Sequence, residues 1–103
     1  MPAVNKVGTQ LLVSPHIRAR AQALALVRQE TVANIYRVAL EGGGLAHMER
    51  GHRAELEALN SVLDALPEDR MTLLDQIFAQ KLNMRDLFDA EGWPITKLPE
   101  RLP

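Results

Sequence analysis

Apolar residues recur every three or four positions along most of the chain, which is the spacing of one face of an α-helix. The first such series follows Ser14 and Pro15 and comprises Ile17, Ala21, Leu24 and Val27. Serine is a favoured N-cap residue, and proline suits the first helical position because its missing N–H would be unpaired there. The pattern therefore predicts a first helix over about residues 15–28.

The second series has more apolar surface than one helical face needs. Thr31 can cap this helix, whose apolar positions are Val32, Ile35, Tyr36, Ala39 and Leu40. Because these positions spread over most of the helical circumference, we expect burial on more than one side. The three glycines at 42–44 end the helix and form the strongest break in the sequence, so they are the natural domain boundary.

The remainder of the chain predicts further helices and an extended tail. One amphipathic helix of about six turns is indicated by Leu45, Met48, His52, Leu56, Leu59, Leu63 and Leu66. A helix opened by Pro67 to Asp69 follows, with a stripe of Met71, Leu74, Ile77, Phe78 and Leu82. Asn83 can cap a short helix over 84–91, and prolines make 92–103 extended. Trp93 in this tail either covers the core or anchors a partner protein.

Residues 8–13 form an apolar, partly β-branched run that precedes the first helix. The run is too short for a helix and is stopped by Ser14 and Pro15, so it predicts a single strand. A lone strand would leave its backbone N–H and C=O groups unpaired, and no second strand is predicted nearby. We therefore expect a homodimer in which residues 8–13 of two copies pair antiparallel and the second helix packs across the two-fold axis.

The order of strand, Ser-Pro helix start, apolar helix and Thr31-capped helix over residues 6–42 resembles the ribbon-helix-helix family of DNA-binding proteins, which includes Arc repressor and the methionine repressor. The resemblance implies a mainly α fold with a ribbon-helix-helix head for DNA binding and dimerisation at 1–42. A helical C-terminal region at 43–103, with an extended tail at 92–103, would then serve oligomerisation or partner docking.

In this family the paired strands lie in the DNA major groove, where base edges are distinguishable. Strand alternation makes Thr9, Leu11 and Val13 face the helices and assigns base contacts to Gly8, Gln10 and Leu12. The Gln10 amide can bond adenine bidentately. Leu12 departs from the polar residue usual there, and a register shifted by one residue would put Thr9 in place of Gln10.

The resemblance also implies phosphate contacts and a dimer core. The N–H groups of Thr31, Val32 and Ala33 would clamp a phosphate at the start of the second helix. Sequence-independent attraction would come from Lys6, Arg18, Arg20 and Arg28. The sequence departs from the family pattern in two ways that weaken this phosphate clamp. The turn between the two helices lacks glycine, and Glu30 places a negative charge beside the clamp. The implied dimer core comprises Leu11, Val13, Ile35, Tyr36 and Ala39.

The charge of the chain supports a polyanionic partner at one end only. Its 103 residues have a formal net charge of -1, but residues 1–40 carry five Lys/Arg against Glu30, a net +4, and residues 41–103 carry seven against twelve Asp/Glu, a net -5. A basic head on an acidic body suggests nucleic acid as the partner of the head.

Composition and motifs exclude several other classes. Without cysteine there is no disulfide framework and no thiolate nucleophile. His47 and His52 are five residues apart, unlike the i, i+4 pair of a helical metal site, so we expect no metal or cofactor. The acids are not paired in an apolar setting and the glycines at 42–44 lack the lysine of a phosphate loop, so an enzyme is not expected. No apolar run approaches the ~18 residues needed to span a bilayer, and the N-terminal residues lack the pattern of a secretory signal, which predicts the cytoplasm.

These observations predict a sequence-specific double-stranded DNA-binding protein, a repressor or regulator of transcription. Two alternatives share the head: an antitoxin whose C-terminal region wraps a toxin, and a plasmid or phage accessory protein acting in conjugation, partition or packaging. A helical protein–protein adaptor that does not bind DNA is the alternative from a different class. It predicts no salt-dependent affinity for duplex DNA.

Overall fold

The structure is a computed structural model that describes residues 14–99. Five α-helices occupy most of this range: α1 (Pro15–Arg28), α2 (Val32–Glu41), α3 (Leu45–Gly51), α4 (Arg53–Ala65) and α5 (Arg70–Ala79). A short 3-10 helix (Met84–Leu87) follows α5. In the part of the chain that the structure describes, every helix is too short or too polar to cross a membrane.

Local capping fixes the first two helices as predicted. The Ser14 hydroxyl accepts a hydrogen bond from the Ile17 N–H at 3.1 Å, and Pro15 is the first residue of α1. The helix ends where Gln29 adopts a left-handed conformation (φ 58°). Thr31 caps α2 in the same way as Ser14, since its hydroxyl accepts from the Asn34 N–H at 3.1 Å. The predicted bounds of both helices are confirmed.

Helix α1 lies at the centre of the molecule. Its buried residues are Ala19 and the whole run 21–26. Six consecutive residues point in all directions around a helix, so α1 is enclosed on every side over residues 21–26. One side packs with α4 and α5, through Ala19, Ala23, Leu26, Leu59, Val62, Leu63, Leu73, Leu74 and Ile77. The other packs with α2 and α3, through Ala21, Leu24, Ala25, Ile35 and Met48. Helix α1 thus separates two small cores.

The predicted fold class is wrong in its ribbon-helix-helix head, although the mainly α part is confirmed. No strand occurs between residues 14 and 99, and α1 contacts helices on both sides of the three glycines at 42–44. The physical reason is the composition of the second half of α1: residues 21–26 are apolar except for Gln22, and helices from both halves of the chain cover them. The predicted strand at 8–13 lies outside the described residues.

The single helix predicted over 45–66 is two helices. The break falls at His52 (φ -130°, ψ 33°), whose N–H donates to the Glu49 carbonyl at 3.1 Å. Gly51, just before the break, has low helical preference because its backbone loses the most freedom on folding. The two segments also serve different cores: Met48 packs with α2, whereas Leu59 packs with α5.

The C-terminal part is held by caps and by a bridge. Asp69 caps α5 through a 2.9 Å hydrogen bond from the Thr72 N–H, so Pro67 lies before the helix and not in its first turn. The short helix predicted over 84–91 is only the 3-10 turn at 84–87, because Phe88 is already extended and forms an antiparallel bridge with Pro94. Trp93 is 68 % exposed, so it does not cover the core.

Candidate nucleic-acid interface

The start of α1 presents basic groups to solvent. His16 and Arg18 are exposed, and the first turn of α1 has no acidic residue. A guanidinium nitrogen of Arg18 lies 3.6 Å from Asp75 Oδ1, with side chains 46 % and 49 % exposed. This separation is longer than a hydrogen bond, so Asp75 holds Arg18 only loosely. Arg18 therefore remains accessible to an anionic partner.

Arg20 is engaged by an acid from α3. It donates from Nε to Glu49 Oε2 at 3.0 Å and from Nη2 to Glu49 Oε1 at 2.7 Å. The side-chain hydrogen bond raises the pKa of Arg20 above its ordinary value, since it stabilises the charged form. A phosphate would have to displace this bidentate carboxylate before it could bind Arg20.

The first turn of α2 already has a negative group beside it. Arg28 donates to the Glu30 carboxylate, and the Asn34 side chain donates to the same carboxylate. The Thr31 hydroxyl accepts from the Asn34 N–H and so serves as the cap. Of the predicted phosphate clamp, Thr31, Val32 and Ala33 lie at this helix start, where the helix dipole favours an anion. The Glu30 carboxylate lies beside this helix start and is held there by the side chains of Arg28 and Asn34.

The predicted dimer-core residues of α2 differ in where they face. Ile35 is fully buried against α1, while Tyr36 and Ala39 are half-buried at the edge of the same core. Burial raises the pKa of Tyr36, and the positive charge of Arg18 opposes this rise. Leu40 is 89 % exposed. Helix α2 therefore keeps apolar surface that the other described residues do not cover.

Several predicted site residues lie outside the described residues. They are the base-contact candidates Gly8, Gln10 and Leu12, the phosphate candidate Lys6, and the dimer-core candidates Leu11 and Val13. Thr9 belongs to the same segment. Their roles stay predictions.

Sequence reasoning missed the acids that hold the arginines. Glu49 and Asp75 are far from Arg20 and Arg18 in the sequence, and they meet them only because α3 and α5 pack against α1. No local spacing could have paired them. The pairing of Arg28 with Glu30 could have been predicted, because the two residues are close in the sequence and flank one turn.

A concave surface lies at the C-terminal end of α1. An open groove of about 410 Å³ runs between the C-terminal ends of α1 and α5 and is lined by Leu26, Phe78 and Leu82, with Glu30 and Arg85 among the polar residues. Because its charged residues have opposite signs, this groove does not extend the basic surface.

The histidines show no metal-like arrangement. His52 Nδ1 lies 3.3 Å from Glu55 Oε2, and the backbone N–H of Glu55 together with this contact lowers the pKa of Glu55. Between residues 14 and 99 no group of three His, Asp or Glu side chains could hold a metal ion.

Comparison of the chain with protein-family models, with curated proteins and with solved structures finds no match. The resemblance to the ribbon-helix-helix family therefore stays a prediction made from residues 6–42.

Proposed function

We propose that the protein is a sequence-specific double-stranded DNA-binding protein without catalytic activity, which acts as a homodimeric repressor of transcription in the cytoplasm. The observation that carries this proposal is the distribution of charge at the N-terminal end. No Asp or Glu precedes Glu30, whereas Lys6, Arg18, Arg20 and Arg28 do. Duplex DNA is a dense line of negative charge, and a segment with only positive charge is attracted to it without sequence preference.

The contacts among the described residues divide the basic groups by role. Arg20 and Arg28 each hold a carboxylate, from Glu49 and Glu30. They contribute to the field of the molecule more than to direct contact. Arg18, which is half exposed and only loosely paired, and Lys6 are the groups that we assign to phosphates. Gln10 is the base-contacting candidate, because its amide has both a donor and an acceptor for adenine.

The apolar surface left on α2 supports a second copy as the dimer partner. Leu40 is 89 % exposed and Tyr36 is half-buried. Covering a leucine side chain of this exposure is worth about 1.5–3 kcal/mol, which contacts among residues 14–99 do not supply. Leu40→Asp should therefore lower the dimer fraction measured by sedimentation, while Glu57→Asp, on exposed α4 surface, should not.

The test of DNA binding is selection from random genomic fragments, followed by affinity measurement on the recovered site at several salt concentrations. We expect enrichment of a palindromic or repeated site at ~100 mM salt, and an affinity that falls steeply as salt rises. Lys6→Ala and Arg18→Ala should each reduce the salt slope by about 1 and weaken binding on all sequences alike. Gln10→Ala should cost about 1–3 kcal/mol at one base position per half-site.

The matched control is Lys97→Ala, since Lys97 is an exposed lysine of the acidic C-terminal region. It should leave both affinity and salt slope unchanged. Fragments recovered at the same frequency as in the input, at ~100 mM salt, would overturn the proposal. An equal loss for Gln10→Ala on every sequence would show that Gln10 has no role in base readout.

A second candidate, a helical adaptor that binds proteins and not DNA, is favoured by the pairing of Arg20 and Arg28 with carboxylates. Because the paired carboxylates offset the positive charge of these arginines, the surface attracts phosphates less strongly. The salt series distinguishes the two, because an adaptor has no salt-dependent affinity for duplex DNA. The antitoxin and the plasmid or phage accessory roles stay predictions.

A further inference from the structure

The single tryptophan of the chain is exposed in an ordered turn, where it lies opposite Asp89. Trp93 keeps 68 % of its surface accessible, in contrast to the neighbouring apolar residues Leu87 and Ile95, which are buried or partly buried against the main core. Tryptophan is one of the residue types enriched at the energetic centre of protein interfaces. An exposed indole beside a buried segment is therefore a candidate binding surface, and it does not depend on DNA binding.

The turn that carries Trp93 is fixed by backbone hydrogen bonds. Asp89 Oδ1 accepts from the N–H of Glu91 at 3.0 Å and from the N–H of Trp93 at 2.9 Å. The Asp89 N–H donates to the Trp93 carbonyl at 2.8 Å, and Gly92 supplies the left-handed residue of the turn (φ 86°). The two ends of the turn are joined by the antiparallel bridge between Phe88 and Pro94.

The turn is also attached firmly to the helical core. The Ile95 N–H donates to the Leu87 carbonyl at 3.0 Å, and Leu87 is fully buried. Phe88, Ile95 and Leu98 pack against the core formed by α1, α4 and α5. The backbone on both sides of Trp93 is thus ordered before any partner arrives, which reduces the entropy lost on binding.

The charge of the turn selects the chemistry of its partner. Within residues 88–94 the only charged groups are the exposed carboxylates of Asp89 and Glu91. An aromatic face attracts cations through its quadrupole, and carboxylates strengthen that attraction. Arginine fits better than lysine, because its planar guanidinium stacks on an indole while its N–H groups bond a carboxylate.

We propose that the turn at residues 88–94 docks an arginine-bearing segment of a different protein, with the guanidinium stacked on Trp93 and paired with the carboxylate of Glu91. The acidic sign of residues 41–103 as a whole favours the same basic partner at longer range.

The test uses the full chain and a fluorescently labelled peptide of alternating glycine and arginine. Binding is followed by peptide anisotropy and by the emission of Trp93, which is the only tryptophan and therefore reports on this turn alone. We expect saturable binding with a shift in emission. In a control peptide, citrulline replaces arginine and keeps its shape without its charge. This peptide should bind at least about 10-fold more weakly.

Variants locate the site. Trp93→Ala should weaken the arginine peptide about 5-fold or more, and Glu91→Gln should weaken it about 2- to 5-fold and lower the salt dependence. Glu57→Gln removes an exposed carboxylate from α4 and should change neither the affinity for the peptide nor its salt dependence. Because Trp93 is exposed, the variants should keep the helical circular dichroism of the parent.

Three results would overturn the proposal. The first is equal affinity for the arginine and citrulline peptides, and the second is equal affinity of the parent and Trp93→Ala. The third is a shift of Trp93 emission with protein concentration alone, accompanied by a larger sedimenting species, which would make a second copy of this chain the occupant of the turn.

Discussion

The guanidinium of Arg20 on α1 donates two hydrogen bonds to the carboxylate of Glu49 on α3, at 3.0 Å and 2.7 Å. The pair joins the segment before the three glycines at 42–44 to the segment after them. Its side chains are 41 % and 29 % exposed, so water screens it in part. A basic residue that the charge pattern assigned to DNA thus also takes part in holding two helices together.

This pair should make a measurable but modest contribution to stability. We expect a coupling free energy of about 0.5–1 kcal/mol between Arg20→Met and Glu49→Gln in a double-mutant cycle measured by urea unfolding. The coupling should shrink at ~1 M salt. The more exposed pair Arg37 and Glu41, four residues apart on α2, is the control and should couple by about 0.3–0.5 kcal/mol at most. A larger coupling for the control pair would contradict this ordering.

Two leucines with opposite exposure test the central position of α1. Leu24 of α1 is fully buried against α2 and α3, whereas Leu40 of α2 is 89 % exposed. Leu24→Ala should lower the free energy of unfolding by about 2–5 kcal/mol, because it removes buried methyl groups and leaves a cavity. Leu40→Ala should change the stability of the monomer by less than about 0.5 kcal/mol. Denaturant unfolding, at a protein concentration too low for dimers to form, measures the stability of both variants. Similar losses of stability for Leu24→Ala and Leu40→Ala would mean that Leu24 of α1 is not enclosed.

The features that the sequence could predict are the helix starts and ends, because residues close together in the chain determine them. The starts of α1 and α2 depend on the hydroxyls of Ser14 and Thr31, each of which accepts from the N–H three residues later. Such caps involve only local geometry, so their positions follow from the residue types. The end of α2 at the three glycines is local in the same sense.

What the sequence could not predict is set by contacts between distant segments. The leucine and methionine spacing continues across Gly51, so periodicity alone gives no sign that Met48 and Leu59 enter different cores. The alanines of α1 are compatible with an exposed or a buried helix, and only the packing of α4 and α5 decides between them. The acids that pair with Arg18 and Arg20 are likewise brought there by the fold.

The turn between α1 and α2 should be improved by glycine. Gln29 adopts φ 58° and ψ 49°, a conformation that a side chain makes costly and that glycine adopts readily. Gln29→Gly should therefore raise the free energy of unfolding by about 0.5–1 kcal/mol. Gln76→Gly, in the interior of α5, is the matched control and should lower it by about the same amount, since glycine is unfavourable within a helix. Thermal unfolding of the two variants checks the opposite signs, and a loss of stability in both would contradict the expectation.

The cap of α5 should make stability depend on pH at the acidic end. The hydroxyl of Thr72 donates to Asp69 Oδ2 at 2.6 Å and its N–H donates to Oδ1 at 2.9 Å, and these bonds hold the pKa of Asp69 below its ordinary value of 3.8. In the folded chain the carboxylate thus binds a proton less readily than in the unfolded chain. The stabilisation is fully present above the ordinary value and is lost as the pH falls through the lower, folded value.

Asp69→Asn tests this dependence because asparagine is also a good N-cap but does not titrate. The stability difference between the parent and Asp69→Asn should be constant from neutral pH down to about pH 5 and should move in favour of the variant as the pH falls below about 4. Urea unfolding at a series of pH values measures it. Asp64→Asn, which removes an exposed carboxylate from α4, should follow the parent through the same range. Parallel curves for the parent and Asp69→Asn down to the acid transition would show that the Thr72 hydrogen bonds do not depress the pKa of Asp69.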